Sequence, residues 1–203
     1  MLVTGIKSKP VYAPLSADLG GRYHLMLGMG PGADALLRVL GEIQGSALPA
    51  LGNTRVLLVP DAGGSLTTVP FDHLGLSLVS LFPDTASLLD AFRLVLGESL
   101  MGTRLYVAGP ESFIGLAMKI ALEFDLNKDE IRAEEVGTLA RRVYCIHCRA
   151  TTENVRTNIV GCTGCARRLL VRDHYSRRLA AYMGVMVDAE APGELPPVKE
   201  VYL

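Results

Sequence analysis

Tyr23-His-Leu-Met-Leu27, followed at once by Gly28-Met-Gly-Pro-Gly32 and then by Ala33-Asp-Ala-Leu-Leu-Arg-Val-Leu40, reads as strand, glycine turn and helix. The first run is short and strand-like, apolar apart from His24. In the last run Ala33, Leu36, Leu37 and Leu40 recur at helical spacing. The same alternation continues downstream. Arg55–Val59 is a second buried-type strand, closed by Pro60 and the Gly63-Gly64 pair, and Leu76–Leu81 is a third, ended by Pro83. Asp84 or Thr85 caps a helix over Ala86–Leu96 that Gly97 helps to stop. Arg104–Ala108 is a fourth strand, Gly109-Pro110 a turn, Ser112–Phe124 a helix, and Ile131–Val136 a fifth strand. Strands separated by helices of this length need crossover connections, so the expected fold is α/β: a small doubly wound, mainly parallel sheet.

The composition agrees with a globular chain. Its 203 residues are 49% hydrophobic and 20% charged, with a formal net charge of -1. That charge argues against a general polyanion binder, because nucleic-acid affinity rests on neutralising phosphates. Mean hydropathy is high, at +0.30, yet no apolar stretch approaches the ~18 residues of a membrane-spanning helix. Met1–Pro10 contains Lys7, Lys9 and Pro10 and no apolar core, so no signal peptide is read there and a cytoplasmic location is expected.

Charge is unevenly distributed. Residues 1–137 carry ten basic and fifteen acidic groups, whereas 138–203 carry ten basic and six acidic. Between Arg141 and Arg178 all nine basic residues are arginine, opposed only by Glu153 and Asp173, and all four cysteines fall in the same window. The shift predicts a boundary near Gly137. The expected organisation is an α/β domain over 1–137, a four-cysteine module with a following helix over 138–187, and an extended arm over 188–203.

Two glycine-bearing turns stand at carboxyl ends of strands, where open α/β sheets bind ligands. Gly28, Gly30 and Gly32 precede a helix, and Gly109 and Pro110 follow the fourth strand. Glycines there let backbone approach a phosphate at a helix N-terminus. They equally make tight strand-to-helix turns, and the first set is not a G-x-G-x-x-G match.

The order strand, glycine turn, helix, and later Tyr106-Val-Ala-Gly-Pro110 with its helix, resembles the pyridine-nucleotide domain of ferredoxin-reductase-type flavoproteins. That resemblance implies a nucleotide site at the two turns. Ala108 stands where the family usually has cysteine, and the flavin-holding Arg-x-Tyr-Ser pattern is absent. Only about twenty residues precede the first strand, against ~100 for a flavin-binding barrel. The expectation is therefore a domain without its own flavin, either binding NAD(P)H or reduced to a scaffold.

Cys145-Ile-His-Cys148 and Cys162-Thr-Gly-Cys165 form two C-x2-C turns separated by thirteen residues. Each turn places two thiolates on one side of a knuckle, and two knuckles close a tetrahedral S4 site. The predicted module is zinc-ribbon-like: a strand over Arg142–Tyr144, a knuckle, a hairpin, the second knuckle, then a strand over Leu169–Arg172. Disulfides or free thiols are the competing reading: disulfides are disfavoured in a reducing compartment, and four thiols in two matched turns are poorly explained as core filler. Zinc suits the closed site; iron in a rubredoxin-like site suits the same ligands, and a [2Fe–2S] centre fits the symmetric spacing less well. His147 is expected to point outward.

Four thiolates on a divalent ion leave a site charge of about -2, which Arg149, Arg167 and Arg168 can offset. The arginine cluster is read as a docking face for an acidic partner, over nucleic acid or a phosphate-bearing cofactor. Arg141 and Arg156 also read as merely solvated. Asp173 or Ser176 is expected to cap a short helix through Tyr182, ended by Gly184. His174 and Tyr175 have no nucleophile to serve and read as structural; no acid–base or nucleophile constellation is found. The tail, with Pro192, Pro196 and Pro197 and the apolar end Val201-Tyr-Leu203, is expected to lie on another subunit.

Val143-Tyr-Cys-Ile-His-Cys148, the Cys162/Cys165 knuckle and Arg172-Asp-His-Tyr-Ser-Arg-Arg-Leu-Ala-Ala-Tyr-Met-Gly184 through Gly193 resemble the DmmA-type small-subunit family of dimethylamine monooxygenase. The resemblance implies an accessory subunit of an NADPH-dependent oxidoreductase that converts dimethylamine to methylamine and formaldehyde. It further implies two partners, a haem-bearing oxygenase subunit and a reductase subunit carrying FMN, a [2Fe–2S] cluster and the NADPH site.

Overall fold

A computed structural model describes residues 8–46, 53–60, 71 and 79–203. The chain divides into two compact units, Tyr12–Gly137 and Thr138–Leu203, the latter joined by residues 8–11. The sequence reading placed 8–11 in the first domain. Backbone pairing takes them to the second, where the Ser8 N–H donates to the Asp173 carbonyl at 2.9 Å and Ser8 Oγ accepts from the Tyr175 N–H at 2.9 Å.

The first unit is built on β1 (Tyr23–Met29), β2 (Thr54–Val59), β3 (Val79–Leu81), β4 (Thr103–Gly109) and β5 (Ile131–Glu135). The sheet order is β3-β2-β1-β4-β5 and every pairing is parallel. This is the doubly wound arrangement, with the strand order reversing between β1 and β4. Its helices are α1 (Gly32–Gly45), α2 (Thr85–Gly97) and α3 (Glu111–Glu123).

Alternation along the strands distributes the core. Met26, Val56, Leu58 and Tyr106 face α1, where Leu36, Val39, Leu40 and Ile43 are buried. Leu25, Leu27, Leu57, Leu105 and Val107 face α2 and α3 with Leu88, Phe92, Phe113 and Ile114. Asp84 is the cap of α2, accepting from the Ser87 N–H at 2.8 Å, which satisfies a donor the helix leaves orphaned. Of the third strand expected over Leu76–Leu81, Val79–Leu81 is seen as β3; Leu76, like Gly63 and Gly64, lies outside the described residues.

The second unit is a β module. Its strands are β6 (Arg141–Cys145), β7 (Thr151–Val155), β8 (Ile159–Gly161), β9 (Arg168–Ser176) and β10 (Ala181–Met186), in the sheet order β7-β6-β10-β9-β8. Here the helix expected from Asp173 or Ser176 to Tyr182 is corrected. Arg168–Ser176 is one nine-residue strand with Leu169, Val171 and Tyr175 buried at even spacing, and Ala181–Met186 returns antiparallel to it. Gly184 does not end a helix. It sits opposite Cys145, where a Cβ would come within 2.7 Å of Val143 Cγ1 and 2.9 Å of Leu169 Cδ1.

The tail is corrected as well: it docks on its own module. The Val201 and Tyr202 N–H groups both donate to the Arg156 carbonyl, the Asn158 N–H donates to the Lys199 carbonyl, and the Leu139 N–H donates to the Leu203 carbonyl. Asn158 closes the clasp, accepting from the Lys199 N–H at 2.7 Å. Arg141, read above as solvated, is 6% exposed. Among the described residues no helix is long and apolar enough to cross a membrane.

Candidate metal centre

The two knuckles have the same backbone. In each, the first cysteine's N–H donates to the carbonyl five residues on, Cys145 to Ala150 and Cys162 to Arg167, both at 2.9 Å. In each, the first cysteine's carbonyl accepts from the N–H four residues on, Arg149 at 2.9 Å and Ala166 at 3.0 Å. That fourth residue takes the left-handed conformation in both, with φ of 67° at Arg149 and 58° at Ala166. The turns hang from separate hairpins, β6–β7 and β8–β9, which the sheet brings to one end of the module.

The result is a closed thiol cluster. The Sγ atoms of Cys145, Cys148, Cys162 and Cys165 all lie within 4.8 Å of one another. Cys145 Sγ is 3.8 Å from Cys165 Sγ, and Cys148 Sγ is 3.5 Å from Cys162 Sγ. Four sulfurs at about 2.3 Å from a central ion form a tetrahedron with edges of about 3.8 Å, whereas a disulfide needs about 2.05 Å. The donor set therefore fits a thiophilic divalent ion. Gly164 makes room for it: a Cβ there would stand 2.6 Å from Ala150 Cβ and 3.0 Å from Cys148 Sγ. His147 is exposed and outside the cluster.

At the second knuckle, polar surroundings favour the thiolate form that a metal requires. The Arg167 N–H and guanidinium bring the Cys165 thiol down to about 6. Burial opposes ionisation of Cys162, but the Cys165 and Gly164 N–H groups hold it below the ordinary thiol range. At Cys148 the Ala150 N–H favours the thiolate, yet partial desolvation and contacts with the other three sulfurs push it up to about 12.

The arginines do not form one face. Arg149, Arg167 and Arg168 are exposed at the knuckle end. Arg142 is held by both Glu153 oxygens and the Ala180 carbonyl. Arg141 is buried beside Asp173. His174 is exposed, while Tyr175 is buried edge-on to Tyr182 at 5.0 Å between ring centroids. The role of Arg141 is a feature that sequence reasoning missed, since its partners lie 32 to 61 positions away.

At the sheet's switch point the glycine turns are tightly packed. A Cβ on Gly28 would meet Leu58 Cδ2 at 2.6 Å, and one on Gly32 would meet the Ala108 carbonyl oxygen at 2.1 Å. Gly30, at φ 53°, donates its N–H to the Val59 carbonyl. Gly109 accepts from the Val136 N–H at 3.0 Å, and the rings of Pro31 and Pro110 lie against Gly137. Asp34 and Glu111 occupy the first turns of α1 and α3, and Arg38 is paired with Glu134. Such closeness accounts for the glycines by packing, and the first-turn carboxylates oppose the negative charge of a pyrophosphate.

A doubly wound parallel domain followed by a four-cysteine β module defines the class of protein. Residues 4–131 match the family described as dimethylamine monooxygenase subunit DmmA-like, N-terminal domain, and residues 142–185 match its C-terminal domain. The chain belongs to the dimethylamine monooxygenase subunit DmmA-like family. It is 34% identical over 111 residues to the heme-dependent oxidative N-demethylase delta subunit of Ectopseudomonas mendocina (strain ymp), covering 55% of this chain and 63% of that protein. The match thus spans less than two thirds of the relative. Among solved structures, phthalate dioxygenase reductase is similar at 14% identity and a TM-score of 0.47, over 68% of this chain and 45% of that one. The ferredoxin reductase of carbazole 1,9a-dioxygenase is similar at 16% identity and a TM-score of 0.42, over 61% and 34%.

Proposed function

We propose that this chain is a non-catalytic accessory subunit of a multi-subunit haem- and flavin-dependent monooxygenase that demethylates dimethylamine to methylamine and formaldehyde. Its four cysteines hold a structural zinc ion that orders a docking surface. The partners are the haem-bearing oxygenase subunit and the reductase subunit with FMN, a [2Fe–2S] cluster and the NADPH site. What carries this reading is the four-thiol set at tetrahedral spacing in a chain of the DmmA-like family. The name of the E. mendocina relative, a subunit of a heme-dependent N-demethylase, supports the assembly.

Zinc bound by four thiolates has no open position, so it supplies a cross-link and no catalysis. The chain's own residues do the rest. The left-handed Arg149 and Ala166 turns fix the knuckles, and Arg149, Arg167 and Arg168 present cations to an acidic face of a partner. Co-expression with the other subunits tests the reading. Cys145→Ser or Cys165→Ser is expected to lose zinc and to abolish co-purification; a metal-free variant that assembles and turns over normally refutes it.

Iron in the same ligands, relaying electrons, is the second reading, favoured by the S4 donor set alone. A red protein with a reversible redox couple supports it, and a colourless zinc protein eliminates it. NAD(P)H binding at Gly28, Gly30, Gly32, Gly109 and Pro110 is a separate proposal, which NADPH titration of the folded chain decides.

A further inference from the structure

We infer that Cys148 and Cys162 are a peroxide-sensitive pair, whose oxidation to a disulfide expels the metal and dismantles the knuckle surface. The inference rests on the zinc reading above and adds a modification site to it. The four ligands are unequal in access: Cys145 and Cys162 are buried at 0% and 5% exposure, Cys165 is intermediate, and Cys148 is exposed. Its neighbours Ile146, His147 and Arg149 are exposed too, so an oxidant reaches this sulfur before the others.

The arrangement behind it favours Cys162 as the second sulfur, since Cys148 and Cys162 form the shorter of the two close sulfur pairs across the knuckles. Cys148 Sγ reaches across to the opposite knuckle, lying over Gly164 and 3.5 Å from Cys162 Sγ. Cys145 Sγ faces Cys165 Sγ instead, at 3.8 Å. A hydroperoxide is the co-reactant, a by-product class expected wherever an oxygenase reduces dioxygen incompletely. The Cys148 thiolate attacks one peroxide oxygen; the S–O bond forms, the O–O bond breaks, and hydroxide leaves. The Cys162 thiolate then attacks the Cys148 sulfur; the S–S bond forms and a second hydroxide leaves. Two thiolates and hydrogen peroxide thus become a disulfide and two hydroxides, which two protons from the buffer convert to water. The sulfurs give up two electrons, and the divalent ion departs because only Cys145 and Cys165 still hold it. A partner docked on the knuckle end covers Cys148, so the unassembled chain is the form that oxidises.

The test uses the full-length chain loaded with zinc and treated with equimolar hydrogen peroxide. Released zinc is read with a chromogenic chelator, and the disulfide is assigned by fragment-ion mass spectrometry of non-reduced peptides. The expected result is about one zinc released per disulfide, joining Cys148 to Cys162, with binding restored by reductant and added zinc. Retention of zinc with intact thiols overturns the inference, as does a disulfide joining Cys145 to Cys165 or lying within one knuckle. If the purified chain neither carries nor takes up zinc, the structural-zinc reading fails and this inference falls with it, whereas zinc that is bound and then retained, or released with a different disulfide, overturns the inference alone.

Discussion

The Arg141 guanidinium carbon lies 3.8 Å from the centroid of the Tyr202 ring and 3.9 Å from that of Tyr182. One ring belongs to a core strand and the other to the tail, so a single buried cation ties the last residues to the sheet. Asp173 completes the site at 2.7 Å from Arg141 Nη2. A cation taken out of water is tolerated where it is paired and covered, and here the tail provides part of the cover.

Removing that cover has a predictable consequence. Tyr202→Ala deletes one cation–π face, worth about 1–2 kcal/mol when desolvated, and lets water reach Arg141. Denaturant unfolding is expected to show a loss of that order. Tyr202→Phe, which keeps the ring, stays within about 0.5 kcal/mol of the parent. Equal losses for both variants would show that the phenol hydroxyl, not the ring, holds the tail.

Why the tail and the last two strands escaped a reading of the sequence follows from the same residues. Arg141 and Tyr202 are 61 positions apart, and no local pattern links a lone arginine to a distant aromatic. In Arg168–Ser176 the buried residues alternate, but Asp173 and Ser176 mimic helix caps, and Leu179-Ala-Ala181 has good helix formers. Tertiary pairing of β10 with both β6 and β9 overrode that propensity. The α/β half was more legible, because β1, β2 and β4 each carry a run of three or more consecutive apolar residues and α1 carries a clear buried stripe. Likewise the C-x2-C spacing exposed the thiol cluster, whereas its unequal burial depended on how the hairpins fold over it.

Gly32 is expected to be intolerant of any side chain. A Cβ would lie 2.1 Å from the Ala108 carbonyl oxygen, a backbone atom that cannot rotate away. Gly32→Ala should push α1 off β4 and cost about 3 kcal/mol or more, at the severe end for overpacking. Gly41→Ala in the same helix is the control. Nothing lies within 4 Å of its Cβ position, so alanine should stabilise by about 0.5–1 kcal/mol. Thermal shifts of opposite sign are the expected readout.

Acid should weaken the α/β unit in two stages. His24 is 2% exposed, its Nδ1 3.2 Å from the Tyr106 hydroxyl. Burial lowers its pKa, opposed by Asp18 and assisted by Arg104. The unfolded chain therefore takes up a proton near the ordinary histidine value while the native state does not, and stability falls as pH drops through that interval. Asp18 behaves differently. Desolvation raises its pKa, but the Gly20 N–H and the Arg104 and Arg132 guanidinium groups together hold it below the usual carboxylate value. Its contribution is complete above about pH 4 and is lost as pH falls through the lower native value. Urea unfolding between pH 7.5 and 5.5 should show a slope in the parent that His24→Asn reduces, while Asp18→Asn, which removes the charge opposing the lowered His24 value, does not reduce it.

Metal removal should act on the β module and leave the parallel sheet folded. Two knuckles with no ion retain four hydrogen bonds between the first cysteines and Arg149, Ala150, Ala166 and Arg167. They lose the cross-link between hairpins. A strong chelator is expected to raise hydrogen exchange in peptides spanning Arg141–Val155 and Ile159–Arg172. Peptides from β1 and β4, whose amides are secured by parallel pairing on both sides, should exchange as before. Gly164→Ala provides a graded version, because its Cβ would crowd Ala150 and Cys148 without deleting a ligand. Metal affinity about tenfold or more weaker is the expected effect, comparable to loss of an outer-shell contact. Unchanged affinity in that variant would mean the second knuckle shifts freely, and that Gly164 does not set the position of Cys148.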